Sequence, residues 1–250
     1  MLLEDTQLSL PHLSVICPYF NHLDEVQAQI ERWSKIDRVY LDKIEFILVD
    51  DCSEEFRQLD PCGLTLRQFR IDTDKKWNQA GARNLGFMQA RGEWSLVFDI
   101  DLLLTDEAIP EIINGIPSLN PIYMYFLAIR DLWNYLENRP AAYCPSAHLV
   151  RTDRFRIMGM YDEDFVGHYG YEDTFVQFTW IMNGGKLILL GKPYFFDRLL
   201  DFHTEGSDRD LTHNGELLIT KRQTISDLPE PRRVSPKNLL RFDWHEVSAD

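Results

Sequence analysis

Three short apolar runs, each followed at once by a turn residue or an acid, constrain the fold of this chain more than any other feature. Residues 13–17 and 44–49 are rich in Val, Ile and Leu, and the run 94–98 leads into Asp99-Ile100-Asp101. Such runs are typical of buried strands, and the helical spacing between the first two indicates a strand–helix–strand unit. The pattern predicts an α/β fold with a mostly parallel sheet flanked by helices.

The residues that follow these runs are expected to meet. Pro18-Tyr19 follows the first run, Asp50-Asp51 the second, and Asp99 with Asp101 the third. In open α/β sheets, ligands bind outside the carboxyl ends of the strands. We therefore predict one binding site at this edge of the sheet.

Asp99 and Asp101 are one residue apart. In an extended chain alternate side chains point the same way, so the two carboxylates would share a side. Two carboxylates where a strand runs into a loop can hold a hard divalent cation, which prefers oxygen ligands and can neutralise a diphosphate. Alone, the pair is more typical of solvated acids in a loop than of a metal site.

Further elements follow from hydrophobic spacing and turn residues. A helix is predicted near residues 106–116, strands at 64–71, 122–126 and 186–190, and a helix at 174–182 that Gly184 ends. Glu172-Asp173 precedes that last helix, where acids are also favoured simply as N-terminal caps. The small residues around Arg83 and Asn84 indicate another helix packed closely on the sheet, and a solvated helix face is the alternative for those two polar residues.

Charge and composition restrict the class of partner. The formal net charge of -14 disfavours a nucleic-acid binder. We expect no signal peptide and no transmembrane segment, and cysteines without metal-ligand spacing favour reduced thiols and a cytoplasmic location. The tail after residue 206 is locally basic, which is typical of a solvated or lightly docked segment; binding to a partner or to a membrane surface is the alternative.

Five motifs in order resemble those of family 2 glycosyltransferases of the GT-A type. They are Ser14–Asn21, Leu48–Ser53, Ala80–Gly86, Asp99–Asp101 and Gly170–Asp173, within a match from about residue 13 to residue 203. The resemblance implies a GT-A (nucleotide-diphospho-sugar transferase) fold over residues 1–205. The donor half would cover about 10–102 and the acceptor half about 103–205. Residues 206–250 would be a C-terminal tail that packs on the domain or binds a partner.

The resemblance also implies an activity: inverting transfer of a sugar from a nucleotide-diphosphate sugar, with UDP favoured, to a hydroxyl of a carbohydrate or glycoconjugate. Pro18, Tyr19 and either Asp50 or Asp51 would line the base and ribose. A carboxylate there can accept the imide N–H of uracil. Arg83 would lie near the base or diphosphate, Asn84 would support that wall, and Asp99 would face the ribose and the metal; these are the nucleotide-binding residues implied.

The remaining implied roles concern the metal and the acceptor. Asp101, with Asp99 and His203, would bind Mn²⁺ or Mg²⁺ bridging the diphosphate. Asp173 would be the general base, with the neighbouring acid Glu172 raising its pKa. Three further residues are candidate acceptor or sugar contacts: His168, Tyr171 and Trp133.

Two departures and two alternatives accompany this resemblance. Cys52-Ser53 stands where the family often has Gly-Ser, and the Gln-x-x-Arg-Trp motif and membrane helices of processive synthases are missing, which favours addition of a single sugar. A sugar-nucleotide pyrophosphorylase would be expected to carry a Gly-rich phosphate loop where this chain has Pro18-Tyr19-Phe20-Asn21. A catalytically silent GT-A-like binding or scaffolding module would be expected to lack the metal acids or the base.

Overall fold

A computed structural model describes residues 10–130, 142–190, 195–198, 209–228 and 239–248. The first part of the chain alternates strands and helices, as predicted. Its elements are β1 (Leu13–Tyr19), α1 (Leu23–Trp33), α2 (Arg38–Leu41), β2 (Ile44–Asp50), β3 (Leu66–Ile71), α3 (Gln79–Gln89), β4 (Trp94–Val97), β5 (Leu102–Leu104) and α4 (Ala108–Gly115).

After residue 115, the part of the chain that the structure describes adds strands at both sides of this unit and three more α-helices. The elements are β6 (Tyr123–Arg130), β7 (Ala142–Arg151), α5 (Thr152–Ile157), α6 (Glu172–Met182), β8 (Lys186–Leu190), β9 (Phe196–Arg198), α7 (Thr212–Ser226) and β10 (Trp244–Glu246). The helix predicted from residue 174 begins two residues earlier, so Glu172 and Asp173 form its first turn.

The ten strands of the described residues belong to one mixed sheet in the order β10-β3-β2-β1-β4-β7-β6-β9-β5, with β8 paired to β6. Strands β3, β2, β1 and β4 are parallel, as are the pairs of β6 with β8 and β9. The pairs β4–β7, β7–β6, β5–β9 and β10–β3 are antiparallel. The predicted α/β class is confirmed, with a parallel unit of four strands at its centre.

Strand β1 extends two residues further than predicted, through Pro18 and Tyr19. The loop expected at Pro18 therefore begins at Phe20. Strand β4 pairs with β1 only as far as Ile16, whose carbonyl accepts from the amide of Phe98. The backbone N and carbonyl of Pro18, two residues later, point to the same side of β1 as those of Ile16. No β4 residue pairs with Pro18 there, so its missing N–H costs no sheet hydrogen bond.

The sheet carries an apolar layer on each face. Helices α1 and α4 bury Val26, Ile30 and Ile112 against one face, and α3 and α6 bury Leu85 and Trp180 against the other. Helix α3 lies especially close to β1: a Cβ at Gly86 would sit 2.4 Å from Ile16 Cγ2. This close contact fixes the position of α3 over the carboxyl ends of the strands.

Both described parts of the C-terminal region contact the rest of the fold. Trp244 pairs with Ile71 of β3, and its ring lies edge-on to Phe69, with centroids 6.0 Å apart. Helix α7 joins α6 through a small cluster that includes Phe175 and Leu218. Within the described ranges, no helix is long and apolar enough to cross a membrane.

Candidate active site

The predicted residues do meet at one edge of the sheet. Tyr19, the last residue of β1, lies beside Asp50, the last residue of β2, in the parallel register. The Tyr19 carbonyl accepts a 2.9 Å hydrogen bond from the Asp51 amide, and Asp99 follows the adjacent strand β4 by two residues. The topology thus gathers the carboxylates of three separate segments.

Asp99 and Asp101 lie on a tight turn rather than on an extended segment. The amide of Leu102 donates to the carbonyl of Asp99 at 3.0 Å, which closes the turn between β4 and β5. Burial raises the pKa of the Cys17 thiol in β1, and the negative charges of Asp99 and Asp101 add to that shift. The turn, not strand alternation, brings the two carboxylates to this edge.

Arg83 connects the two halves of the site. Its side chain has no solvent-exposed surface, and its Nη2 lies 2.6 Å from Asp99 Oδ1. Its Nη1 lies 2.9 Å from Asp173 Oδ1 and 3.8 Å from Glu172 Oε1. Gln79, one turn earlier on α3, donates to the same oxygen of Asp99 at 2.7 Å. One buried guanidinium group therefore holds the 99–101 turn and the acid pair of α6 together.

The pKa values of the carboxyl groups around Arg83 are shifted in opposite directions. Burial disfavours the charged form of Asp99, but the Arg83 charge and the hydrogen bonds from Ser146, Arg83 and Gln79 together outweigh it and lower the pKa of that carboxyl. Burial raises the pKa of Asp173 to about 7, with Arg83 opposing the shift and Glu172 adding to it. Burial likewise raises the pKa of Glu172. A half-buried carboxyl group that titrates near neutral pH has the property that a general base requires.

The two acids at the end of β2 have different environments. Asp50 is fully buried, and its carboxylate accepts from Arg70 Nη1 at 2.6 Å and from the Ser53 amide at 3.3 Å. Asp51 is only partly buried and accepts from Asn78 Nδ2 at 2.7 Å. Burial raises the pKa of Asp51 to about 7, and the Asn78 hydrogen bond opposes that shift. Of the two, Asp51 is the acid that a ligand can reach.

Three other residues predicted to bind the nucleotide are buried: Pro18, Tyr19 and Asn84. Pro18 is buried, and Tyr19 is 3% exposed with its hydroxyl accepting from Gln68 at 2.9 Å. Asn84 is fully buried; it donates to Tyr161 O and to Glu163 Oε1, both at 2.9 Å. Asn84 thereby fixes α3 to the segment that leads to α6.

The candidate acceptor contacts lie around the start of α6. His168 is exposed and stacks on His213 of α7, with ring centroids 3.7 Å apart. Tyr171 is the N-cap of α6 in the left-handed region, with φ of +70°. His203 and Trp133 lie outside the described residues.

Several residues of the site were not predicted from the sequence. Asn78 and Gln79 hold Asp51 and Asp99, as described above. The ring of Tyr161 lies 5.2 Å from the Arg83 guanidinium, and its hydroxyl hydrogen-bonds to Asp173. His148 lies behind it, with its pKa lowered to about 3 chiefly by burial. Asn78 and Gln79 directly precede the Ala80–Gly86 motif, but nothing local marks Tyr161 or His148.

The donor chemistry of the turn suits a hard cation. Within the described ranges, no group of three or more His, Cys, Asp or Glu side chains is placed to hold a metal ion. Mg²⁺ is commonly bound through one or two carboxylates together with substrate phosphates, so such a group is not required. Asp99 and Asp101 both lie on this turn, and Asp99 Oδ1 accepts from both Arg83 and Gln79.

Comparison with known proteins places this geometry in a family. The sequence profile of "Glycosyl transferase family 2" matches residues 14–157, more than half of the chain. An uncharacterized glycosyltransferase of Haemophilus influenzae is 30% identical over 114 residues, which are 44% of this chain and 37% of that protein. The aligned segment therefore spans little more than a third of that relative.

Solved structures share the fold at low sequence identity. TarS of S. aureus (residues 1–349, in complex with UDP-GlcNAc) superposes with a TM-score of 0.66 at 17% identity, covering 87% of this chain and 68% of TarS. The mannosyltransferase PcManGT of Pyrobaculum calidifontis, in complex with GDP-Man and Mn²⁺, gives 0.58 at 17% identity, covering 90% and 67%. The profile match, the shared GT-A fold and the gathered motifs lead to one conclusion: this chain belongs to glycosyl transferase family 2.

Proposed function

We propose that this glycosyltransferase moves a single sugar from a UDP-sugar to an acceptor hydroxyl of a carbohydrate or glycoconjugate, with inversion at the anomeric carbon. The observation that carries this proposal is the bridge made by Arg83. One guanidinium group contacts both Asp99, at the ends of the parallel strands, and Asp173, at the start of α6. A donor diphosphate at the turn would thus lie close to a base that faces the acceptor.

The chemical step follows from these positions. Asp173 takes the proton of the acceptor hydroxyl as the hydroxyl oxygen attacks the anomeric carbon. The bond from that carbon to the β-phosphate oxygen breaks, and the nucleoside diphosphate leaves with the electron pair. Attack from the face opposite the leaving group inverts the configuration. Only the ionised form of Asp173 can accept the proton, so its raised pKa sets the lower pH limit of the reaction.

The remaining groups hold the donor. A Mn²⁺ or Mg²⁺ ion bound to Asp101 would act as a Lewis acid that stabilises the charge of the leaving diphosphate. The Mn²⁺ present with GDP-Man in PcManGT supports this assignment. Asp51 would accept the imide N–H of uracil, because Asp50 is buried and already bonded to Arg70. The UDP-GlcNAc bound by TarS supports a UDP-sugar as donor.

Replacing Asp101 with Asn should remove the metal-dependent part of nucleotide binding. Mutation of residues that only support a metal ligand already lowers metal affinity or activity by about 10- to 100-fold. Loss of the charge of the ligand itself should therefore cost at least as much. Titration calorimetry of UDP, GDP and dTDP, with and without Mn²⁺, measures the effect. Asp106→Asn is the matched control, because that side chain is 92% exposed. UDP affinity that is independent of Mn²⁺ in the wild type would contradict the proposed metal role.

Replacing Asp51 with Asn should weaken binding of UDP-GlcNAc by roughly 10- to 100-fold, the value of a hydrogen bond to a charged group. In the wild type, affinity should fall as the pH drops below about 7, because burial raises the Asp51 pKa to about 7 and the protonated acid no longer accepts as a carboxylate does. The variant should show no such pH dependence. Calorimetry between pH 6 and 8.5 tests both points, with the exposed Asp24→Asn as control. Equal UDP-GlcNAc affinities of the variant and the wild type at pH 8 would exclude Asp51 as the carboxylate that binds uracil.

A further inference from the structure

The loop that precedes the proposed base is held by helix α7, in the part of the chain beyond the family match. This loop, residues 165–171, runs directly into Glu172 and Asp173 at the start of α6. It contains three residues with positive φ: Gly167 (+102°), Gly170 (+84°) and Tyr171 (+70°). A non-glycine residue in the left-handed region is strained and persists only where its surroundings enforce it.

Asn214 of α7 makes the most direct contact with the loop. Its side chain is completely buried, and Nδ2 lies within hydrogen-bond distance of three backbone carbonyls: Phe165 at 3.0 Å, His168 at 2.8 Å and Gly170 at 2.9 Å. Its two N–H groups serve all three, so one N–H is shared between two carbonyls. These carbonyls belong to the irregular segment and converge on one amide group. Buried carbonyls need donors, and this one side chain supplies them.

The neighbours of Asn214 contact the same loop. His213 stacks on His168, and a Cβ on Gly215 would lie 3.3 Å from the ring of Tyr171. Leu211 packs over Gly170, where a Cβ would meet its Cδ2 at 2.6 Å. The first turn of α7 therefore touches the loop at successive positions and encloses the residues with unusual backbone angles.

We propose that Asn214 is a positioning residue for catalysis: its hydrogen bonds to the 165–171 loop set the left-handed geometry of Tyr171 and hence the direction of Asp173. This inference rests on the proposed function, because it concerns the base of that reaction. Asn214 lies on a different element from Asp51 and Asp101, so its role is separable from donor binding.

Two variants test this role. Asn214→Leu keeps the approximate size but removes both N–H donors, and Asn214→Ala leaves room for a water molecule that can bond to the carbonyls. Release of UDP from UDP-GlcNAc in the presence of a carbohydrate acceptor gives kcat, and calorimetry gives the affinity for the donor. We expect kcat to fall by about 100-fold in Asn214→Leu, as for a misplaced catalytic group, with donor affinity within about twofold of wild type. The kcat of Asn214→Ala should lie between those of Asn214→Leu and wild type. Thr220→Ala is the control, because Thr220 lies on the exposed side of α7.

Hydrogen exchange provides a readout that does not depend on activity. Amides of residues 166–173 should exchange faster in Asn214→Leu, whereas amides of β1 and β2 should not change. The inference is overturned if kcat and donor affinity fall together, or if the exchange of the loop is unchanged. If the wild type releases no UDP from any UDP-sugar, the proposed function fails instead, and the exchange result still decides whether Asn214 fixes the loop.

Discussion

Replacement of Asp173 by Asn is expected to lower kcat by about 10²- to 10⁴-fold, the usual contribution of a positioned general base. Asn has nearly the same shape but cannot take the acceptor proton at neutral pH. The donor-side residues Asp51, Asp99 and Asp101 are unchanged, so donor affinity should stay within about twofold of wild type. Initial rates of UDP release at saturating UDP-GlcNAc, combined with calorimetry of the same donor, separate the two quantities.

The pH profile gives an independent check on this base. Burial raises the Asp173 pKa to about 7, and only the ionised carboxylate accepts a proton. The wild-type rate should therefore rise with pH up to about 7 and then level off, whereas the residual rate of Asp173→Asn should lack this rise. Measurement of kcat from pH 5.5 to 9 at saturating donor gives both curves.

Glu172→Gln is the matched companion variant. The Glu172 carboxylate adds to the burial that raises the Asp173 pKa, so removing its charge should move the acidic limb of the wild-type profile to lower pH while much of the activity remains. The opposite result, with Glu172→Gln inactive and Asp173→Asn active, would assign the base to Glu172 and contradict the proposed mechanism.

The central strands and their carboxyl ends were predictable because their signals are local. The apolar run before Asp99 and the run before Asp50 each encode a buried strand, and parallel strands joined by helices must place their carboxyl ends at the same edge. The same logic predicted the first strand, although that strand continues through Pro18 because the neighbouring strand β4 has already ended.

The remaining architecture depends on pairing that the sequence does not show locally. Strand β7 contains Pro145 and polar residues, and it is a strand because it lies between β4 and β6. Helix α7 was not predicted because its buried residues, Asn214, Leu218 and Ile225, form no continuous apolar stripe, and it contains Gly215. The first turn of α7 instead contacts a loop more than 40 residues earlier in the chain.

Arg83 illustrates the same limit at the level of a single residue. The motif placed it at the site, near the base or diphosphate, but its complete burial and its contacts with Asp99 and Asp173 emerge only from the packing of α3 against α6 and the 99–101 turn. We therefore interpret Arg83 as the internal counter-ion of the site. Its removal should destabilise the fold more than the loss of any single carboxylate that it contacts.

Replacement of Arg83 by Met should lower the free energy of unfolding by about 3–5 kcal/mol at pH 8, because it leaves buried carboxylates without a counter-ion. That is a large part of the total stability of a typical domain, about 5–15 kcal/mol. Urea unfolding of both proteins gives the difference. Arg38→Met is the control, since that arginine is 69% exposed in its pair with Asp42 and should contribute less than about 1 kcal/mol.

The pH dependence identifies the cause of the loss. Arg83 lowers the Asp99 pKa, so it contributes stability above the unfolded pKa of that acid, and this contribution disappears as the pH falls through the lower folded value. The difference in unfolding free energy between wild type and Arg83→Met should therefore be widest at pH 8. It should begin to narrow near pH 7, where Asp173 protonates, and narrow further below about pH 4, where free Asp side chains protonate. The double variant Arg83→Met/Asp173→Asn should lose less stability than the sum of the single variants, because one uncompensated carboxylate is gone. A gap that is constant with pH, together with additive losses, would instead attribute the effect to lost packing of the arginine side chain.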